Sequence, residues 1–73
     1  MYQPLIVDDE VLVRIGLINC IDWGKHGFLT PMEAGNGEEA WEILQSNKID
    51  IAIVDIKMNW SKRLVVVDFL QKL

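Results

Sequence analysis

Three aspartates follow apolar runs of this sequence at positions where their carboxylates could meet. Asp8 and Asp9 come directly after the apolar residues 5–7, and Asp55 follows the apolar residues 51–54. If both runs are neighbouring parallel strands, their carboxyl ends bring the three acids to one edge of the sheet. Carboxylates that close repel one another unless a cation neutralises them, and oxygen ligands completed by water suit Mg²⁺. The pattern therefore predicts a weak Mg²⁺ site.

Each acid also has an ordinary structural explanation. Asp8, Asp9 and Glu10 could cap amides at the start of a helix and meet its dipole. Asp55 could be an ordinary acid at a strand end. Taken separately, these explanations are favoured for each residue. Taken together, three acids at the ends of two adjacent strands favour the cation site.

The spacing of apolar residues predicts alternating strands and helices. Predicted strands cover residues 4–9, 28–34 and 50–56, and predicted helices cover residues 10–21, 38–47 and 61–72. Pro31 removes one backbone donor, so the second strand should lie at a sheet edge and leave the first and third adjacent. The order of elements predicts an α/β fold: a three-layer parallel sheet built from three βα units, with strand order 2-1-3.

The first helix is expected to depend on tertiary packing, because Gly16 and several β-branched residues weaken its intrinsic propensity. Cys20, the single cysteine, lies among apolar residues at helical spacing and is predicted to be an inert core residue. His26 has no Cys or His at ligand spacing, which argues against a zinc site.

Length and charge limit the classes of function. Seventy-three residues are expected to form one domain, and the net charge of −4 without a basic stripe argues against nucleic-acid binding. Hydrophobic residues make up 51% of the chain, more than so short a fold hides easily, which favours association with a second copy. No apolar run approaches the roughly 20 residues of a membrane span, and no secretion signal is visible, so a cytoplasmic location is expected.

Three motifs together resemble a known domain. The segments LIVDDE, EAGNGEEAWEIL and IDIAIVDIKM are similar, without gaps from about residue 2 to Met58, to the first half of the receiver domain of bacterial response regulators. That domain has a flavodoxin-like fold. The resemblance implies that Asp55 accepts a phosphoryl group from a histidine kinase in two-component signalling. It also implies that Asp8, Asp9, Asp55 and the backbone carbonyl of Lys57 bind Mg²⁺.

The resemblance weakens after Met58. The family usually continues with Pro-Gly-Met-Asp-Gly and an amphipathic helix, whereas this chain reads NWSKR and then LVVVD. Receivers also have five strands, and a Ser or Thr after the fourth and a Lys after the fifth contact the phosphoryl group. Because the sequence stops after the third βα unit, we expect a truncated or engineered receiver fragment without catalytic turnover.

Removal of the later strands would expose the apolar edge of the third strand, a template for pairing. The fragment is therefore expected to form a homodimer, and its aspartate cluster is then vestigial. The expected interface residues are Trp60, Val65, Val66, Ile51 and Ile53. An alternative for residues 65–67 is a strand-like or frayed tail.

Two other functions are weighed against the homodimeric fragment. The first is a receiver module that is still phosphorylated on Asp55. The second is a decoy that binds a histidine kinase through the first helix, on whose exposed face Arg14 would be the only basic residue.

Overall fold

The protein forms a four-stranded sheet with two helices. The computed structural model describes residues 1–58 and 61–68, of which residues 56–58 and 61–68 are described as backbone strand. The elements in chain order are β1 (Pro4–Val7), α1 (Val11–Cys20), a 3-10 turn (Gly24–His26), β2 (Met32–Ala34), α2 (Gly37–Ser46), β3 (Ile51–Met58) and β4 (Ser61–Asp68). The sheet order is β2-β1-β3-β4; β1 lies parallel to β2 and β3, and β4 is antiparallel to β3. The predicted parallel strands and their order 2-1-3 are confirmed.

The core lies where α2 packs against the first two strands of the sheet. Its buried members alternate along β1 and are joined by residues from β2, α2, β3 and the segment just before β3: Leu5, Val7, Ala34, Ala40, Ile49 and Ala52. Successive strand residues face opposite sides of a sheet. Ile6, which is 1% exposed and lies between two members of this cluster, therefore faces the other side. The central position of β1 agrees with its uninterrupted apolar sequence.

The second helix forms as the sequence predicts. The Asn36 side chain accepts a hydrogen bond from the Glu39 amide at 2.8 Å, which caps the first turn of α2. Ala40 is buried, and Ile43 and Leu44 pack against the core. Trp41 is 61% exposed, so α2 turns one large aromatic ring toward solvent.

The first helix buries no residue. Leu12 is 82% exposed and Val11 and Ile15 are also exposed, so tertiary packing of its apolar side chains is much weaker than expected. Cys20 is exposed at the end of α1, and the prediction of a core cysteine is wrong. Helical spacing shows that residues share a face, but it does not show whether another element covers that face.

The structure replaces the third predicted helix with a strand. Residues 61–68 form β4, so the helix predicted for residues 61–72 is wrong over that range, and the strand-like alternative for residues 65–67 is the one observed. Consecutive β-branched residues fit a pleated strand better than a helix, and β3 offers a row of backbone donors and acceptors. Residues 59, 60 and 69–73 lie outside the described residues.

In the part of the chain that the structure describes, no helix is long and apolar enough to cross a membrane.

Candidate metal centre

Strand register places two of the predicted acids side by side. Val7 of β1 pairs with Val54 of β3, so Asp8 and Asp55 follow at the same level of the sheet. The register is anchored at the opposite end of the strands, where the Gln3 amide donates to the Asp50 side chain at 2.8 Å and the Asp50 amide donates to the Gln3 carbonyl at 2.9 Å. These reciprocal bonds oppose a slip of β1 along β3.

The three predicted aspartates come together as expected. Asp8, Asp9 and Asp55 each offer one carboxylate oxygen, and these three oxygens lie within 4.8 Å of one another. Asp8 is buried, Asp55 is half-buried and Asp9 is exposed, so the cluster runs from the sheet edge to the solvent. It forms one wall of a pocket of about 400 Å³, lined by Val7, Asp8, Asp9, Gly35, Asn36, Gly37, Val54 and Asp55.

Two backbone hydrogen bonds hold Asp8 in position. Its amide donates to the Ala34 carbonyl at 3.0 Å, which continues the β1–β2 pairing by one residue. Its Oδ1 accepts a hydrogen bond from the Glu10 amide at 2.8 Å, which closes the turn into α1. The capping role that the sequence allowed for this acid is therefore real, and it coexists with membership of the cluster.

Arg14 approaches the same turn from α1. Its Nη1 donates to the Asp8 carbonyl, and its Nε donates to Glu33 Oε1 of β2 at 3.0 Å. The Arg14 side chain is 14% exposed, compared with 42% for Glu33. Arg14 therefore does not lie on the exposed face of the first helix, as the decoy hypothesis required.

The loop between β2 and α2 completes the pocket, and sequence reasoning assigned it no functional role. The Gly35 amide donates to Glu39 Oε1 at 2.6 Å, and Asn36 caps the helix. Gly35 follows Ala34, whose partner in β1 is Val7, so the loop lies at the level of Asp8. The glycine-rich turn after β2 could have predicted that this loop lines the site, because parallel strands β1, β2 and β3 all end at the same edge of the sheet.

Lys57, whose carbonyl the family resemblance implies as a ligand, lies within β3 and pairs in register with Lys62 of β4. Its role as a ligand remains a prediction. His26 is exposed in the 3-10 turn. Among the described residues, the three aspartates are the only group of His, Cys, Asp or Glu side chains with metal-binding geometry.

Four of the five residues predicted for a dimer interface lie in paired strands of the sheet. Ile51 and Ile53 are half-buried, and Ile53 pairs with Ile6 on one side and with Val66 on the other. The prediction that β3 has an unpaired edge is therefore wrong, because β4 occupies that edge. Val65 and Val66 lie in β4, and Trp60 lies outside the described residues.

The chemistry of the cluster fits Mg²⁺. The ligand set consists of hard carboxylate oxygens, and among the described residues that line the pocket there is no sulfur or imidazole. Mg²⁺ is usually held by one or two carboxylates plus several waters. The adjoining pocket of about 400 Å³ leaves room for those waters and for a small phosphorylated molecule. A divalent cation there would offset the mutual repulsion of the three acids.

Comparison with known proteins agrees with this arrangement. The response regulator receiver domain model matches residues 5–72. The transcriptional regulatory protein HptR of Staphylococcus aureus (strain NCTC 8325 / PS 47) is 38% identical over 58 residues, which cover 80% of this chain and 23% of that protein. A response regulatory protein of Staphylococcus epidermidis (strain ATCC 12228 / FDA PCI 1200) is 34% identical with the same coverage.

The chain thus spans about a quarter of the length of these relatives. No match to a solved structure was found. The family match extends over nearly the whole chain, including β4. The chain therefore belongs to the response regulator receiver domain family.

Proposed function

We propose that this chain is a phosphoacceptor module that takes a phosphoryl group onto Asp55 in the presence of Mg²⁺. The observation that carries the proposal is the convergence of three carboxylate oxygens within 4.8 Å, with Asp55 half-buried at the pocket. Membership of the receiver family supports the same role for Asp55. Asp8 and Asp9 would hold the cation together with Asp55, and the Lys57 carbonyl is the expected fourth protein ligand.

The proposed reaction is a single phosphoryl transfer. An Asp55 carboxylate oxygen attacks the phosphorus of an acyl phosphate or a phosphohistidine, and a new oxygen–phosphorus bond forms. The bond from phosphorus to the leaving carboxylate oxygen or imidazole nitrogen breaks, and the electron pair stays with the leaving group. Bound Mg²⁺ would supply charge neutralisation for the transferred group, so the chain contributes position and electrostatics. Asp55 is consumed once, so no turnover is expected.

The surroundings of Asp55 suit this reaction. Val7 and Val54 form an apolar wall of the pocket, while the exposed Asp9 lies at its solvent side. A small phosphodonor can therefore approach Asp55 from solvent, and the buried Asp8 stays in place behind it. A carboxylate needs no general base to act as a nucleophile, which agrees with the lack of a histidine among the residues that line the pocket.

The test is incubation with acetyl phosphate and MgCl₂, followed by intact mass measurement and peptide mapping. We expect one phosphoryl group on the chain, no adduct in Asp55→Asn, and a large loss when EDTA removes the metal. Glu42→Gln is the matched control, because it neutralises an exposed acid on α2 that does not line the pocket. No adduct on the unaltered chain, or an adduct that persists in Asp55→Asn, would contradict the proposal.

The natural phosphodonor is proposed to be a histidine kinase, the partner that receiver domains use in two-component signalling. The two relatives are named as a transcriptional regulatory protein and a response regulatory protein. We propose that this chain carries the phosphorylation input of such a protein and that direct nucleic-acid contact belongs to other segments.

A second candidate function is self-association as a homodimer. Among the strands that the structure describes, β4 has one neighbour, so its outer edge carries backbone donors and acceptors that can pair with another strand. The apolar sequence of residues 64–67 makes that edge suitable for a second copy. That the segment after Met58 was altered by design or selection remains a prediction.

A further inference from the structure

Arg14 connects three elements around the turn that carries Asp8 and Asp9. From α1 it donates to the carbonyl of Asp8, at the end of β1, and to Glu33 of β2 at 3.0 Å. The guanidinium is a rigid fork, and here its Nε and Nη1 are used on two different elements. The Arg14 side chain is 14% exposed and Glu33 is 42% exposed, so solvent competes less for the part-buried bond to the Asp8 carbonyl than for the bond to Glu33.

The bonds of Arg14 matter for the position of α1, because this helix is weakly packed. The helix has no buried residue, so apolar packing contributes little to holding its first turn against the sheet. Polar bonds therefore help to hold the turn between β1 and α1. Among them are the bonds from the Asp8 amide to the Ala34 carbonyl, from the Glu10 amide to Asp8 Oδ1, and from Arg14 to the Asp8 carbonyl. Loss of the Arg14 side chain removes its bonds to that carbonyl and to Glu33, and so loosens the attachment of α1 to β1 and β2.

Charge alone predicts the opposite role for Arg14. A guanidinium one hydrogen bond away from the Asp8 backbone lies close to the cluster, and its positive charge repels a cation bound there. Removal of the charge should then tighten cation binding. Removal of a positioning group should weaken it, because cation ligands bind well only when they are held in the productive geometry. The sign of the change in affinity therefore separates the two roles.

We infer that Arg14 is a positioning residue for the Asp8–Asp9 side of the cation site, through its simultaneous bonds to the Asp8 carbonyl and Glu33. This inference rests on the proposed function, since it assumes that the three aspartates bind a divalent cation. Arg14 itself touches neither the cation nor the phosphodonor. Its contribution is to keep the turn of residues 8–10 fixed while the like-charged acids repel one another.

The test is titration with MnCl₂, monitored by the electron paramagnetic resonance signal of free Mn²⁺, on the unaltered chain and on Arg14→Met. We expect the Kd for Mn²⁺ to rise about tenfold in Arg14→Met, the usual cost of losing a group that orients a metal ligand. Arg14→Lys keeps the charge but cannot reproduce the two-directional fork, so it should also weaken binding. Lys25→Met is the charge control, because Lys25 is exposed in the 3-10 turn that follows the far end of α1, a helix roughly 15 Å long.

The outcomes separate this inference from the proposed function. Unchanged or tighter Mn²⁺ binding in Arg14→Met, with a melting temperature that shows the variant is folded, overturns the positioning role and leaves the cation site standing. If Arg14→Met does not fold, Arg14→Lys decides, and an unchanged Kd there overturns the role. A lack of Mn²⁺ binding by the unaltered chain overturns the cation site and this inference together.

Discussion

Gly35 and Gly37 lie two residues apart in the β2–α2 loop but have different surroundings. A Cβ added at Gly35 would lie 3.0 Å from Glu39 Oε1 and 3.4 Å from Arg14 Nη1, whereas a Cβ at Gly37 would meet no atom within 4 Å. The Gly35 amide also donates to Glu39 Oε1 at 2.6 Å. The small size of Gly35 thus lets a carboxylate and a guanidinium approach the backbone beside the pocket.

We predict that Gly35→Ala destabilises the protein while Gly37→Ala does not. The methyl group at Gly35 would crowd Glu39 Oε1 at 3.0 Å, so that oxygen must shift and its bond from the Gly35 amide weakens. The expected cost is at most that of one hydrogen bond to a charged group, about 1.5–3 kcal/mol. At Gly37, the first residue of α2, alanine should be neutral or stabilising by up to about 1 kcal/mol. Urea unfolding of both variants measures the difference, and equal effects would show that the contacts of Gly35 do not matter.

At the scale of elements, the main difference from the sequence prediction is β4, a strand where a helix was expected. It pairs with β3 along its full length, from Met58 with Ser61 to Ile51 with Asp68. The family resemblance implied a helix after β3, and the family match includes these residues. The hairpin covers the edge that a helix would have left open, so the sheet gains a fourth strand.

The hairpin register can be tested with an introduced disulfide. In a Cys20→Ser background, Ile51→Cys with Asp68→Cys should oxidise readily, because paired residues lie about 4.5–5.5 Å apart between Cα atoms and disulfides need about 4.4–6.8 Å. Ile51→Cys with Val66→Cys is the control, two residues out of register. Thiol counting after mild oxidation measures both. Cross-linking of the control alone, or of neither pair, would contradict the observed register.

Much of the fold and the cluster was predictable from short apolar runs. Residues 5–7 and 51–54 lack polar alternation, which identifies central parallel strands, and strand ends then locate Asp8 and Asp55. The nature of residues 61–68 was not predictable in the same way, because Leu64 and Val67 fit helical spacing while their β-branched neighbours fit a strand. Only the availability of the β3 edge decides between them.

The bonds of Arg14 were not predictable for a related reason. Arg14 and Glu33 are 19 residues apart, and their meeting depends on how α1 lies across the end of β1. Spacing along one helix gives the face that a residue occupies, but it does not give the element opposite. The exposed positions of Leu12 and Cys20 were missed for this same reason.

At the scale of the whole molecule, two surfaces are suited to a second copy. One is the outer edge of β4, which within the described residues has no further strand beside it. The other is the apolar side of α1, where Val11, Leu12 and Ile15 are exposed. The edge of β4 offers both backbone hydrogen bonds and apolar side chains in sequence, and a two-fold axis would join two sheets into one.

We therefore predict that the chain is a homodimer joined through β4, with twice the chain mass of 8.4 kDa by light scattering on a sizing column. Backbone amides of successive strand residues point to opposite sides, so one of Val65 and Val66 donates toward β3 and the other toward the outer edge. Val65→Pro and Val66→Pro each remove one amide. One of the two should keep the fold and become monomeric, and the other should destabilise the hairpin.

Two further variants identify the surface if the dimer has another geometry. Leu12→Lys places a charge on the exposed face of α1, 82% exposed at this position, without touching the sheet. A dimer that survives both proline variants but dissociates in Leu12→Lys is joined through α1, and a dimer weakened in Trp60→Ala includes that residue in its interface. A mass of 8.4 kDa at every concentration would contradict self-association. It would mean that the chain is a stable monomer with the outer edge of β4 exposed. The charged residues Lys62 and Arg63 would explain such tolerance, since charges on an edge strand oppose pairing.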